Sequence, residues 1–175
     1  MRHPGLVRLA TWMPFGPAPQ LLEDLLGVQV SKASARRFTL QAGEAALQEW
    51  EEQTVEIQRS LPQAPTGAAK QVMSADGAMV PLVRGIWAEV KTLVIGEVEG
   101  TPAEEAQVQN LSSCSRLADV PEFEQATLLE THRRVLDQAS EVAAVTDGAE
   151  WLQGFINYHR GVRCACWILR TPPSM

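Results

Sequence analysis

The chain has 175 residues, 45% apolar and 21% charged, which is the balance of a globular protein and excludes a disordered one. Its net charge of −6 argues against binding nucleic acid by overall charge alone, and no run approaches the roughly 18 apolar residues of a membrane span. Cys114, Cys164 and Cys166 make neither a disulfide framework nor a four-ligand zinc site, and the start lacks the apolar core of a secretory signal, so we expect a cytoplasmic protein with no membrane association.

Leu6 to Met13 reads as a short helix, ended by the proline-rich loop around Pro14, Pro17 and Pro19. Pro19 suits the first turn of a second helix through Leu21, Leu22, Leu25 and Leu26, and Gly27 supplies its stop. After the connector Val28-Gln29-Val30, Ser31 is a natural N-cap for a third helix that runs from Lys32 to Ser60. Helix, glycine, three-residue turn and serine-capped helix is the plan of a helix-turn-helix. Lys32, Arg36 and Arg37 carry positive charge with no acid between Val28 and Gly43. Ser31, Ala33, Ser34 and Ala35 are small enough to let the backbone approach a DNA groove. This face suits phosphates and base edges, and Ser31, Lys32, Ser34, Arg36 and Arg37 are the DNA-binding candidates. The bland alternative is a helical hairpin with solvated basic residues.

Pro62, Pro65 and Gly67 mark a linker, so residues 1–61 form a helical region, 62–69 a linker and 70–160 a second domain. In that domain Gln71 to Ala75, Met79 to Val83 and Val90 to Val98 read as three strands, with Asp76-Gly77 as a hairpin turn between the first two. Thr101 to Gln109 starts a helix or is a loop insertion. Pro121 to Ser140 has helical spacing, Val142 to Val145 is a fourth strand, and Ala149 to His159 is an amphipathic helix. The resulting order is β-β-β-α-β-α. Three antiparallel strands, a helix and a strand beside the first is the opening order of a ribonuclease-H-like domain. The fold expected is therefore a helix-turn-helix-like region followed by a partial ribonuclease-H-like α+β or α/β domain.

Metal-assisted phosphoryl transfer on such a sheet needs acids projecting from adjacent strands, where hard divalent cations activate the attacking oxygen and stabilise the leaving one. Val142 to Gly148 reads VAAVTDG, so Asp147-Gly148 echoes Asp76-Gly77. Asp76 and Asp147 are the candidate catalytic and metal-binding carboxylates, and the glycine after each keeps the neighbouring space open. Taken singly, each aspartate also reads as a turn residue. Glu89 and Lys91 face the same side of their strand and border the site or water. No third acid stands out, since Glu150 reads better as a helix N-terminal acid.

Taken together, LVRLATWMPFGPAPQLLEDLLGVQVSKASARR, SADGAMVPL, WAEVKTLVIGEV and VAAVTDGAEWLQGFINYHR resemble the DDE transposases of the ISKra-type insertion sequences over about residues 4 to 160. The resemblance implies DNA cutting and joining at element ends with Mg2+ or Mn2+, with Asp76 and Asp147 as the first and second catalytic aspartates. It implies insertion-sequence ends as the DNA partner, and a second copy or a full-length transposase as the protein partner. Such transposases extend further at both ends, and the third acid is expected beyond this chain. Residues 161–175, GVRCACWILRTPPSM, show no strand-then-helix pattern and are expected to be an out-of-frame tail; the fourth strand is then an exposed apolar edge, or the tail covers it with Trp167, Ile168 and Leu169. One permitted codon choice for this tail, read two bases later, gives RAVRMLDSPHAAEH, a strand followed by a helix start. The function expected is that of a transposase fragment, inactive in catalysis alone. The alternatives are a non-enzymatic DNA-binding regulator and an interaction module whose Asp-Gly pairs are only turns.

Overall fold

A computed structural model of the chain describes residues 4–60, 62, 67–99, 106–160 and 165–168, with backbone alone at 83, 160 and 165–168. A helical N-terminal region is followed by a domain of mixed sheet and helix. The chain divides into two compact units at residues 52 and 53, so the last turns of the third helix belong to the second unit. Among the described residues no helix is long and apolar enough to cross a membrane.

The first unit holds α1 (Pro4–Trp12), α2 (Pro17–Leu26) and most of α3 (Lys32–Ser60). Proline stands in the first turn of α2, where its missing N–H costs nothing, and Gly27 ends that helix in the left-handed conformation at φ 65°. The Gly27 N–H bonds the Glu23 carbonyl at 2.8 Å, which satisfies one of the terminal carbonyls. Ser31 caps α3 by accepting a hydrogen bond from the Ser34 backbone N–H at 3.1 Å. Leu6, Leu22 and Ala35 form the buried centre, with Leu9, Val28, Val30 and Phe38 packed against it. Burial of Ala35 corrects one expectation: its small side chain serves close packing inside the unit and does not face a DNA groove.

The second unit carries a five-stranded sheet in the order β3-β2-β1-β4-β5. Its strands are β1 (Lys70–Pro81), β2 (Trp87–Glu99), β3 (Gln107–Arg116), β4 (Glu141–Thr146) and β5 (Ala165–Ile168). β1 and β2, and β2 and β3, are antiparallel. β4 is parallel to β1 and β5 is parallel to β4. Helices α4 (Val120–Arg133) and α5 (Glu150–Arg160) cover one face. The core there joins Met73, Ala75, Leu93, Ile95, Val142 and Ala144 of the strands to Phe123, Leu152, Phe155 and Ile156 of the helices. Phe123 and Phe155 stack with centroids 5.1 Å apart, and Trp151 meets both edge-on.

Several expected boundaries change. Asp76-Gly77 is not a hairpin turn, because β1 runs through it in unbroken register with β2 from Gln71↔Glu97 to Pro81↔Trp87. The tight turn that favours Asp-Gly needs positive φ at both residues, and neither has it. The chain reverses at Leu82–Ile86, closed by the Leu82 N–H on the Ile86 carbonyl at 2.7 Å, with Arg84 (φ 66°) and Gly85 (φ 73°) supplying the left-handed turn. The two runs read as separate strands are thus one. The third strand is instead β3, which overlaps the segment left as helix or insertion. Its polar sequence QVQNLSSCSR buries only Cys114, so no apolar alternation marks it. Burial pushes the Cys114 thiol pKa up.

Helix α4 stops at Arg133, short of the expected Ser140, because Val135 turns left-handed at φ 53° ahead of a 3-10 turn at Leu136–Gln138. The Arg134 side chain leaves the helix for the sheet, bonding Ser112 Oγ at 2.9 Å and Glu97 Oε1 at 3.1 Å, with the Asn110 carbonyl as a third acceptor. Of the two outcomes expected for the fourth strand, the tail takes the covering one. β5 pairs with β4 from Ala143↔Ala165 to Thr146↔Ile168, so β4 is an interior strand and not the exposed edge. β5 carries the strand-forming Trp167 and Ile168, and its addition to β4 satisfies backbone groups that an edge would leave open.

Candidate functional site

The site is built by the β1–β4 pair. Ser74 pairs with Val145, the last pair in the register of these parallel strands; Asp76 lies two residues further along β1, and Asp147 lies just past the end of β4. Side chains alternate across a strand, and Met73 and Ala75 point into the helix-covered core, so Asp76 points to the opposite face. In β4, Val142, Ala144 and Thr146 are buried, which leaves Asp147 to emerge at the strand's end.

Asp76 stands opposite Thr92, and Thr92 opposite Ser115. The two hydroxyls share a hydrogen bond at 2.9 Å. A polar row of Asp76, Thr92 and Ser115 therefore crosses three strands on the face away from the aromatic core.

Both carboxylates are exposed and oriented by nearby backbone. Asp76 Oδ1 accepts from the Gly77 N–H at 2.7 Å. Asp147 Oδ1 accepts from the Ala149 N–H at 3.0 Å, a local turn that leads into α5 through Gly148 at φ 89°. Among the described residues no Lys, Arg or His forms an ion pair with either aspartate. Two carboxylates are hard oxygen donors of the number that magnesium takes from a protein while keeping several waters, so the donor set fits such an ion. No third His, Cys, Asp or Glu joins them, since among the described residues no group of three or more of these side chains is arranged to hold a metal. Glu150 is exposed in the first turn of α5, where its charge complements the helix dipole.

Glu89 and Lys91 share a face of β2, as expected, and it is the core side rather than that of Asp76. Lys91 is 5% exposed; its Nζ meets Glu89 Oε2 at 2.6 Å and donates to the Ala118 carbonyl at 3.0 Å. The Glu89 carboxylate lies flat against Gly77, in the space that a Cβ would take. The i,i+2 spacing of Glu89 and Lys91 was a signal for this pair; its seat on Gly77 was not legible, because the Asp-Gly pair reads as a turn.

Of the DNA-binding candidates, Lys32, Arg36 and Arg37 are exposed on the opening turns of α3. Ser31 and Ser34 are engaged with each other, their hydroxyl oxygens 3.1 Å apart. Arg37 lies over the Phe38 ring at 5.1 Å.

His132 lines a cavity of about 160 Å3 with Ile57, Leu128, Thr131, Asp137, Tyr158 and His159. Sequence reasoning overlooked His159, which is buried at the end of α5. The Thr127 hydroxyl donates to the Phe123 carbonyl at 2.8 Å, so it is free to accept from His159 Nε2 at 2.9 Å. Burial pushes the imidazole pKa down to about 4. Comparison with known protein families, with curated proteins and with solved structures finds no match to this chain.

Proposed function

We propose that the chain carries a ribonuclease-H-like core of transposase type, in which Asp76 and Asp147 hold one divalent cation against DNA. The observation that carries this reading is the place of two exposed aspartates, Asp76 within β1 and Asp147 just past the end of the neighbouring parallel strand β4, in a sheet ordered β3-β2-β1-β4-β5. The resemblance of the sequence to ISKra-type DDE transposases agrees with that sheet order. When bound, magnesium or manganese supplies Lewis-acid activation at a phosphodiester. Asp76 and Asp147 would hold the ion, and the backbone N–H groups of Gly77 and Ala149 orient their carboxylates. With two acids at the site, we assign it metal and DNA binding and no strand cleavage by this chain alone.

A thermal-shift titration tests this reading. Manganese at millimolar concentration is expected to raise the melting temperature of the wild-type chain and to leave Asp76→Asn and Asp147→Asn unmoved. Equal shifts in all three proteins, or none in the wild type, count against it.

A second reading rests on a different observation. Lys32, Arg36 and Arg37 are exposed on a stretch free of acids between Val28 and Gly43, which supports DNA binding by the helical unit without any chemistry. A protein of that kind regulates by occupying element ends. It binds DNA equally well with both aspartates replaced, and loses binding when Arg36 and Arg37 become alanine.

A further inference from the structure

We infer that Lys91 is the positioning residue of the two-aspartate site, an inference that rests on the metal-binding reading of Asp76 and Asp147. Lys91 touches neither aspartate. It stands directly opposite Gly77, the residue after Asp76, in the antiparallel register. Its ammonium bonds Glu89, and the Glu89 carboxylate lies on Gly77. Toward the helices, the same ammonium donates to the carbonyl of Ala118, next to the α4 cap Asp119. It also sits 5.9 Å from the ring centroid of Trp151, four residues after Asp147 in the first turn of α5. Trp151 is pinned in turn against Phe123 and Phe155. One buried cation therefore ties the β1 segment that bears Asp76 to the helix start that sets Asp147.

The arrangement has a chemical logic. A buried ammonium is costly unless its hydrogen-bonding capacity is met, and here a carboxylate and a carbonyl meet most of it. Gly77 is what makes the close seat of Glu89 possible, since any side chain there would take the place of the carboxylate. Among the described residues each aspartate is exposed and held by a single backbone bond, so their separation depends on how β1 and the start of α5 are held. Partners that orient ligands without touching the metal typically change metal affinity by about 10- to 100-fold when removed.

The experiment measures manganese affinity of the full chain by isothermal titration, with circular dichroism and melting temperature recorded for every variant. Wild type and Asp76→Asn establish whether the site binds the ion. Lys91→Met and Glu89→Gln then each remove one half of the pair, and Lys91→Arg preserves its charge. The expected result is at least about tenfold weaker binding in Lys91→Met and Glu89→Gln among folded protein, with Lys91→Arg recovering most of the affinity. A purely structural Lys91 lowers the melting temperature and leaves the affinity of the folded fraction unchanged; that result overturns the inference. If Lys91→Met does not fold, Glu89→Gln decides by the same criterion. Loss of binding in Asp76→Asn with wild-type affinity in Lys91→Met and Glu89→Gln overturns the positioning role alone. No binding in the wild type overturns the metal reading and this inference together.

Discussion

Gly77 is the residue on which two roles meet, following a candidate ligand and giving the Glu89 carboxylate its seat. Gly77→Ala should push Glu89 off the strand and loosen its bond to Lys91, at about 1–3 kcal/mol by denaturant unfolding. Truncating Glu89 to alanine in the same chain should relieve the clash, so the two substitutions should cost less together than their sum. His159 gives a second prediction at this scale. Its folded pKa is lowered by burial to about 4, against about 6.5 in the unfolded chain. The unfolded state therefore takes up the proton first as the pH falls. The neutral imidazole carries no penalty above pH 6.5, and stability should fall between pH 6.5 and 4 by on the order of 3 kcal/mol. Replacing His159 with glutamine should flatten that part of the pH–stability curve; an unchanged slope would assign the loss to other groups.

The elements divide into those announced by local chemistry and those set by distant partners. Helices α1 to α3 were legible because prolines, Gly27 and Ser31 act within a turn of their own positions. The Ser31 cap is testable as such: Ser31→Ala should cost about 1 kcal/mol of α3 stability, seen as reduced helix signal or a lower unfolding midpoint. β1 was divided at Asp76-Gly77 because Asp-Gly favours turns, and only pairing with β2 decides that the strand continues. β3 was missed for the opposite reason. It is held by backbone pairing to β2 and has a single buried side chain, so its sequence carries no periodic signal. The end of α4 depends on Arg134 reaching β3, a contact 22 residues away in sequence from Ser112. β5 lay in a tail without a strand-then-helix pattern, and its strand forms by addition to β4.

At the scale of the whole molecule, the sequence order of strands and helices anticipated the fourth strand beside the first even though two strand boundaries were misjudged. Asp76 and Asp147 stand out in the sequence because each follows an apolar run and precedes a glycine. The Lys91–Glu89 pair was only half legible, since its meaning depends on Gly77 and Trp151 meeting it from two other elements. With a net charge of −6, the DNA binding proposed for the helical unit rests on the local charge of Lys32, Arg36 and Arg37. Replacing Arg36 and Arg37 with alanine should weaken DNA binding and reduce the slope of log affinity against log salt by about 2. An unchanged slope would remove these residues from the interface. The central claim is that one ion is shared by two strands, and a double-mutant cycle of manganese affinity measures that sharing directly. If Asp76 and Asp147 hold the same ion, Asp76→Asn and Asp147→Asn should each abolish binding as fully as the double variant does. Binding that survives in the double variant, or losses in the single variants that simply add, would contradict it.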